Sequence, residues 1–306
     1  MLTYSDIDNL FEAQIPQWQL AFDNYDALHN IEVRNIIVNG IEVRIQHNPA
    51  RITSVSSKPH ATVQQSCFLC HDNLPQQQLQ LPYNERFTIL VNPYPIFDRH
   101  FTIPATIHTP QRIAENFDTM LQLARSCTPY TLFYNGPRCG ASAPMHLHFQ
   151  AGNSGYMPIE QQWHKAPNRH ITTYGEATLS LVEGVLRPIF CITSTRNNDA
   201  EVLFDKLYDA MPPIVGEEPM MNIIMRCDND TLTTLIFPRA KHRPDCYYAS
   251  DNNRLLISPG SVEMGGVFIT PRKEDFEKIT AQDIINIYNE VALSDEKVQN
   301  IISTIK

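Results

Sequence analysis

Residues 140–150 read GASAPMHLHFQ, and the run His146-Leu147-His148-Phe149-Gln150 decides how the rest of the chain is read. Side chains alternate faces along a β-strand, so Leu147 and Phe149 are expected on one side and His146, His148 and Gln150 on the other. The apolar pair buries, and the polar trio faces a site. A lone histidine on such a strand needs nothing beyond contact with water. Two histidines and a glutamine behind a glycine- and serine-containing turn point instead to proton transfer, metal ligation or nucleophilic attack.

Composition limits the choice. The 306 residues are 42% hydrophobic and 19% charged, which suits one large or two modest domains with buried cores. A net charge of −9 is spread along the chain without a basic block, so nucleic acid is not expected as a partner. The opening MLTYSDIDNLFEAQ has no secretory pattern, and no run of about 18 apolar residues occurs, so a cytoplasmic protein with no membrane span is expected. Seven cysteines in that compartment point away from a disulfide framework. Cys127, Cys139, Cys191, Cys227 and Cys246 are scattered and are expected to be buried as small hydrophobes. Cys67 and Cys70, in CFLC, have the spacing that lets two thiolates reach one tetrahedral ion. That site needs two more ligands, for which His100 and His146 are the leading candidates and His71 and His108 the weaker ones. A redox dithiol is disfavoured, because NLPQQQLQLP (73–82) is a poor helix where that motif usually opens one.

The chain divides into two halves of one plan. RFTILVNPYPIFDRHFTIP (86–104) reads as two strands around a proline-containing turn, and TPQRIAENFDTMLQLARS (109–126) has the spacing of an amphipathic helix. TLFYNG (131–136) and MHLHFQ (145–150) follow as strands. The back half is expected to repeat this order. MNIIMRC (221–227) and LTTLIFP (232–238), joined by the turn residues DND, match the second strand pair. RLLISPGSVEMGGVFITP (254–271) and ITAQDIINIYNEVALS (279–294) match the strand pair and helix, with Val267 where His100 would fall. The stretch from about 157 to 186 then reads as a connection. Residues 1–60 form an N-terminal extension, opening with a helix over DIDNLFEAQIPQWQLAFDNYDAL (6–28) and continuing in strands up to NPARITS (48–54). The expected domains are therefore 1–60, a catalytic half at 61–160 and a degenerate second half at 161–306.

LFYNGPRCGASAPMHLHFQAGNSGYMPIE (132–160) resembles the active-site segment of the histidine-triad (HIT-like) superfamily. The similarity is to the branch of galactose-1-phosphate uridylyltransferase, the dinucleoside polyphosphate phosphorylases and the GDP-hexose phosphorylases. IFDRHFTIPATIHTPQRI (96–113) resembles a second segment of the same branch. The resemblance implies an α+β fold of two HIT-like half-domains, an internal duplication in which each half is an antiparallel sheet with flanking helices.

It also implies a nucleotidyltransferase or phosphorylase that cleaves a nucleoside diphosphate sugar or a dinucleoside polyphosphate. In that branch the second histidine of His-x-His attacks the α-phosphorus and forms a nucleotidyl-histidine, which an acceptor then discharges. His148 matches that nucleophile, and a carbonyl of the same turn is a fitting acceptor for its other nitrogen. Gln150 matches a glutamine that hydrogen-bonds phosphate oxygens and favours transfer over hydrolysis. Arg51 resembles an arginine that contacts the nucleotide phosphates, and Asn135 matches the asparagine before the loop; the glycine of the turn Gly140 to Ser142 lets backbone N–H groups and a hydroxyl approach phosphates, with Arg138 as a further cation. Lys241, His242 and Arg243 in FPRAKHRP (237–244) are candidates for the second phosphorylated substrate. Met145 stands where the GDP-hexose enzymes usually have asparagine, which leaves the choice of substrate open. The uridylyltransferases hold a structural zinc whose ligands match Cys67, Cys70, His100 and His146 in order. The implied partners are a nucleotide or nucleotide sugar with phosphate or sugar phosphate, and the implied assembly is a monomer or homodimer. The rival readings are a HIT-type nucleotide hydrolase and a catalytically silent nucleotide-binding protein.

Overall fold

The computed structural model describes residues 2–52, 67–250 and 252–306. The expected domain boundary near residue 60, and the end of the NPARITS stretch, lie outside them.

Two copies of one strand plan make up the centre. In the front copy, β3 (Leu81–Tyr83), β4 (Phe87–Val91) and β5 (His100–Pro104) meander antiparallel. Helix α3 (Phe117–Ser126) then leads to β6 (Tyr130–Asn135) and β7 (His148–Asn153), and β7 inserts beside β5. In the back copy, β8 (Asn168–Tyr174), β9 (Ala177–Val182) and β10 (Ile189–Ser194) meander likewise. Helix α4 (Asn197–Ala210) leads to β11 (Met221–Asp228) and β12 (Thr231–Pro238), and β12 inserts beside β10. The copies join where β6 pairs antiparallel with β11, Asn135 opposite Asn222, giving one ten-stranded sheet. The β11–β12 hairpin closes on Asn229 and Asp230, both at positive φ, the two-residue turn whose twist matches that of paired strands.

The duplication is therefore present, but its back copy begins earlier than the sequence reading placed it. Residues 168–182, taken as connection, are β8 and β9. β8 is an edge strand exposed along most of its length, so it lacks the apolar signal on which the reading relied. Residues 254–271, taken as the back strand pair, instead supply the short helical turn Ser261–Met264 and β13 (Val267–Thr270). β13 pairs parallel with β2 (Ile41–His47), which pairs antiparallel with β1 (Glu32–Val38). The N-terminal segment is thus tied to the C-terminal one. The single helix expected over 6–28 is two, α1 (Tyr4–Gln14) and α2 (Gln19–Leu28), broken at Ile15–Gln17, where Pro16 has no N–H for the helix ladder.

The large sheet buries both faces. On one, Phe101, Ile103, Leu132, Tyr134 and Phe149 of the front copy and Phe190, Ile223 and Ile236 of the back copy pack with α1 to α4 and the last helix, Asp295–Ile305. On the other, Cys191, Ile224, Leu235 and Phe237 of the back copy meet β13 and the helix Ala281–Val291. The front copy presents polar groups to that same side, His148 and Gln150 among them, and there a cavity of about 500 Å³ opens. No described helix is long and apolar enough to cross a membrane.

Candidate active site

β7 begins at His148, and His146 and Leu147 precede it in a turn. Of the three polar residues, His148 and Gln150 line the cavity, and the expected third member of their face, His146, turns elsewhere. Gln111, fully buried, holds the head of the strand in place. Its Oε1 accepts from the His148 backbone N–H (2.7 Å), and its Nε2 donates to the carbonyls of Asn135 (2.9 Å) and His148 (3.0 Å). Gln111 lies within TPQRI, which the sequence marks as a helix start and as the end of the second HIT-like segment, with no role for the glutamine itself.

The Nδ1 of His148 lies 2.8 Å from the carbonyl oxygen of His146. A carbonyl only accepts, so Nδ1 carries the proton and Nε2 keeps its lone pair. Nε2 is buried and has no hydrogen-bond partner among the described residues. Burial is the main cause that pushes the His148 pKa down to about 4, so the ring is neutral near pH 7.

Gln150 is oriented by a donor chain. The Ile96 N–H donates to His100 Nδ1 (3.2 Å), so His100 Nε2 carries the proton and donates to Gln150 Oε1 (3.0 Å). The Gln150 amide NH₂ is left to donate into the cavity. Burial, and secondarily the charge of Arg51, bring the His100 pKa down to about 3, consistent with this neutral tautomer. Arg51 lines the same cavity; one terminal nitrogen donates to the Tyr94 carbonyl (2.8 Å), while its buried Nε lacks a partner among the described residues.

Both ring nitrogens of His100 are thus engaged, and among the described residues it lies outside the group of side chains that could hold a metal. The cluster that forms is Cys67, Cys70, His108 and His146, with one donor atom of each within 4.8 Å of all the others. Backbone bonds from Ala105 N–H to the Leu147 carbonyl (2.8 Å) and from Leu147 N–H to the Thr109 carbonyl (2.7 Å) wrap residues 105–109 around Leu147. His108 is thereby brought to His146, ring centroids 5.0 Å apart. The His146 Nε2–H donates to the Ala105 carbonyl (2.8 Å), which turns Nδ1 toward Cys67 Sγ (3.3 Å) and Cys70 Sγ (3.7 Å). His108 Nδ1 lies 3.2 Å from Cys70 Sγ. Two thiols and two imidazoles, one with its distal nitrogen fixed by a carbonyl, form a donor set that could hold a metal, and the chemistry suits zinc.

The remaining expected residues divide. Ser142 is exposed at the rim of the cavity, which Gly140 and Asn135 also line. Asn135 Oδ1 is occupied by donors, accepting from Asn222 Nδ2 (2.8 Å), Ser261 N–H (2.7 Å) and Ser261 Oγ (2.8 Å). It thereby joins the two copies and the segment after residue 259. Gly140 has φ +92°, and a Cβ there would lie 2.8 Å from the Cα of Gly260, so its freedom is used for close packing of two backbones. Arg138 pairs with Glu217 (2.7 Å), and Lys241 pairs with Glu290 (3.0 Å) and Asp245. His242 and Arg243 line the cavity. Glu160, at the end of MPIE (157–160), is a buried clamp accepting from Thr131, Gly155 and Met157. Four of the scattered cysteines are buried as expected, and Cys246 is half-buried.

Buried residues of the back half stand behind and along the wall. Arg239 donates to the carbonyls of Val291, Pro259, Lys241 and His242 and to the side-chain oxygen of Asn222. Glu263 lines the cavity. It accepts from the Gly260 N–H (2.8 Å), and burial raises its pKa to about 7.

The site is thus a duplicated antiparallel half-sheet with a buried, neutral histidine at the head of the strand beside the junction. The comparisons with known proteins agree with the HIT-like resemblance in the fold and in the C-terminal half. Residues 10–153 match the family model "Domain of unknown function (DUF4922)", and residues 163–306 match "GDPGP1-like, C-terminal domain". The fold is similar to that of yeast Ap4A phosphorylase Apa2, with a TM-score of 0.55 at 14% identity over 88% of this chain and 93% of that one. The AMP complex of the yeast protein compares at a TM-score of 0.56, with the same identity and coverage. No curated protein matches the chain.

Proposed function

We propose that the chain is a nucleotidyltransferase of the phosphorylase type, acting on a nucleoside diphosphate sugar or a dinucleoside polyphosphate through a nucleotidyl-His148 intermediate. One observation carries this reading: a buried imidazole with Nδ1 locked on a backbone carbonyl and an Nε2 without a partner among the described residues, in a cavity that also holds Arg51 and the Gln150 amide. A neutral ring held in that tautomer is a ready nucleophile. The yeast protein of similar fold is an Ap4A phosphorylase that has been seen with AMP, and the C-terminal half matches a GDPGP1-like domain. Both support a nucleotide as the ligand.

The residues divide the work as follows. Nε2 of His148 attacks the α-phosphorus, an N–P bond forms and the P–O bond to the leaving phosphate or sugar phosphate breaks. The His146 carbonyl stabilises the positive charge that develops on the ring through the Nδ1–H it already accepts. Arg51 and the Gln150 NH₂ neutralise and orient the non-bridging oxygens, the positioning and charge stabilisation on which phosphoryl-type transfer depends. An oxygen of incoming phosphate then attacks the same phosphorus, the N–P bond breaks and the neutral ring returns. Zinc, where bound by Cys67, Cys70, His108 and His146, supplies a structural cross-link between the 67–70 loop and the turn before β7.

The test is intact-protein mass spectrometry under denaturing, non-acidic conditions after incubation with a panel of nucleoside diphosphate sugars and dinucleoside polyphosphates. A gain of one nucleoside monophosphate, absent in His148→Ala, is expected. Turnover by His148→Ala at the wild-type rate would refute the nucleophile assignment, and turnover without added phosphate would identify a hydrolase.

A further inference from the structure

A β-sheet ends in strands whose outward N–H and C=O groups are open to pairing, and proteins blunt such edges with short strands, proline, bulges or covering elements. The ten-stranded sheet follows that practice. β3, at one edge, has three residues and carries Pro82, and β8, at the other, breaks register between His170 and Thr172. In the three-stranded sheet, β13 is buried along its whole length. β1 (Glu32–Val38) has none of these defences. It pairs in unbroken register with β2 over seven residues, holds no proline, and has no strand on its other side among the described residues. We infer that β1 is a dimer interface: it pairs antiparallel with β1 of a second copy of this chain, joining the two three-stranded sheets into one of six strands. This inference does not depend on the reading of the active site.

The groups that face outward follow from the register. β1 and β2 are joined by the two-residue turn Asn39–Gly40, with both residues at positive φ. The Val38–Ile41 pair that flanks such a turn is hydrogen-bonded, and bonded pairs then recur at every second residue. The other side of β2 agrees. The N–H groups of Arg44 and Asn48 donate to the carbonyls of Gly266 and Thr270, so the even positions serve β13 and the odd ones serve β1. Glu32, Arg34, Ile36 and Val38 are thus bonded to β2, whereas Val33, Asn35 and Ile37 turn their N–H and C=O groups outward.

Full overlap of two such strands places a two-fold axis at Asn35. Val33 then lies opposite Ile37 of the second copy, Asn35 opposite its own equivalent and Ile37 opposite Val33, and each of these bonded pairs exchanges two N–H···O bonds. Val33 and Ile37 are 47% and 62% exposed in the single chain, and they cover each other as apolar cross-strand pairs. No like charges meet, because Glu32 falls opposite Val38 and Arg34 opposite Ile36. Both charges are also engaged within the chain, Glu32 by Lys273 and Arg34 by the carbonyls of Phe276 and Ile279. Sliding the pairing by two residues either sets Arg34 against its own equivalent or carries Val33 onto the turn. Seven paired residues on each side make a small contact, so monomer and dimer are expected to exchange.

Sedimentation velocity and light scattering on the full chain, from micromolar to near-millimolar concentration, test the interface. In the wild type the mass is expected to rise with concentration from that of one chain toward that of two. Asn35→Pro removes an outward N–H and none of the bonds to β2, a change that an edge position tolerates. Val33→Lys combined with Ile37→Lys sets like charges opposite each other at exposed positions. Both variants should keep the mass of one chain throughout, with thermal midpoints in dilute solution within a few degrees of wild type. Should Asn35→Pro fail to fold, the lysine pair decides by itself. Hydrogen exchange reads the strand directly: the Val33, Asn35 and Ile37 amides should slow as the wild type is concentrated. A wild type that stays at the mass of one chain overturns the inference. So does a dimer that persists in either folded variant, or one in which those three amides exchange as fast as in the monomer.

Discussion

His100 Nε2 donates to Gln150 Oε1 across the β5–β7 pair at 3.0 Å, and that bond fixes which end of the glutamine amide faces the cavity. Without it the amide can present its oxygen to a phosphate oxygen, where two acceptors repel. His100→Phe keeps the volume and removes the donor. We expect kcat/KM to fall on the order of 10- to 100-fold, the scale of a misplaced catalytic contact, with metal stoichiometry unchanged. Loss of metal from His100→Phe, measured by elemental analysis, would return His100 to the ligand set.

The complementary variants are His108→Ala and Cys67→Ser. Each removes one donor from the four-atom cluster, so metal content should drop below half and the thermal midpoint should fall. Chelator treatment of wild type should lower the midpoint similarly, since the binding energy of a structural metal is folding energy. Full occupancy in His108→Ala would show that the fourth ligand lies elsewhere.

Gln111 is bonded to both strands that frame the site. Gln111→Leu leaves the buried His148 N–H without its acceptor and removes a donor from two carbonyls. A loss of roughly 2–4 kcal/mol is expected from chemical denaturation. A change below about 1 kcal/mol would mean that the strand ends hold without it.

Stability should also depend on pH through Glu263 and Glu218. Burial raises both from an ordinary value of 4.5 to about 7. In that window the folded protein keeps protons that the unfolded chain has released. The contribution is therefore fully present below about pH 4.5, declines as pH rises toward 7 and is absent above it. For each carboxyl the full span is on the order of 3 kcal/mol. Glu263→Gln, which resembles the protonated form, should flatten part of this slope in denaturation curves at pH 5 and pH 8. An unchanged slope would show that Glu263 is ionised throughout.

Much of this was legible in the chain. The alternation around β4, β5, β11 and β12 identified strands because each buries an apolar face, and the polar turn 228–230 located a hairpin. The HIT-like resemblance of residues 132–160 matches the fold that forms. What misled were features set by tertiary neighbours. β8 is an edge strand with little apolar pattern, and β13 has a strand's pattern but a different partner, since periodicity reports a strand and not what it pairs with. The exchange of His100 for His108 has the same origin. Both follow Cys-x-x-Cys in sequence, and only the fold of residues 105–109 around Leu147 decides which imidazole reaches the thiols. Gln111, Arg239 and Glu263 were passed over because their work is to satisfy buried backbone groups, which leaves no spacing to read.

The pairing of β6 with β11 has one more consequence. In the front copy taken alone β6 would be a bare edge of unpaired amides and carbonyls beside the strand of His148, and in the back copy β11 would be another, each an open template for association. The halves are thus obligate mates: expressed separately they should be insoluble or stick to themselves, and expressed together they should find each other through the Asn135–Asn222 seam. A chain divided in the 153–163 interval would then behave as a split reporter, silent in pieces and restored on reunion.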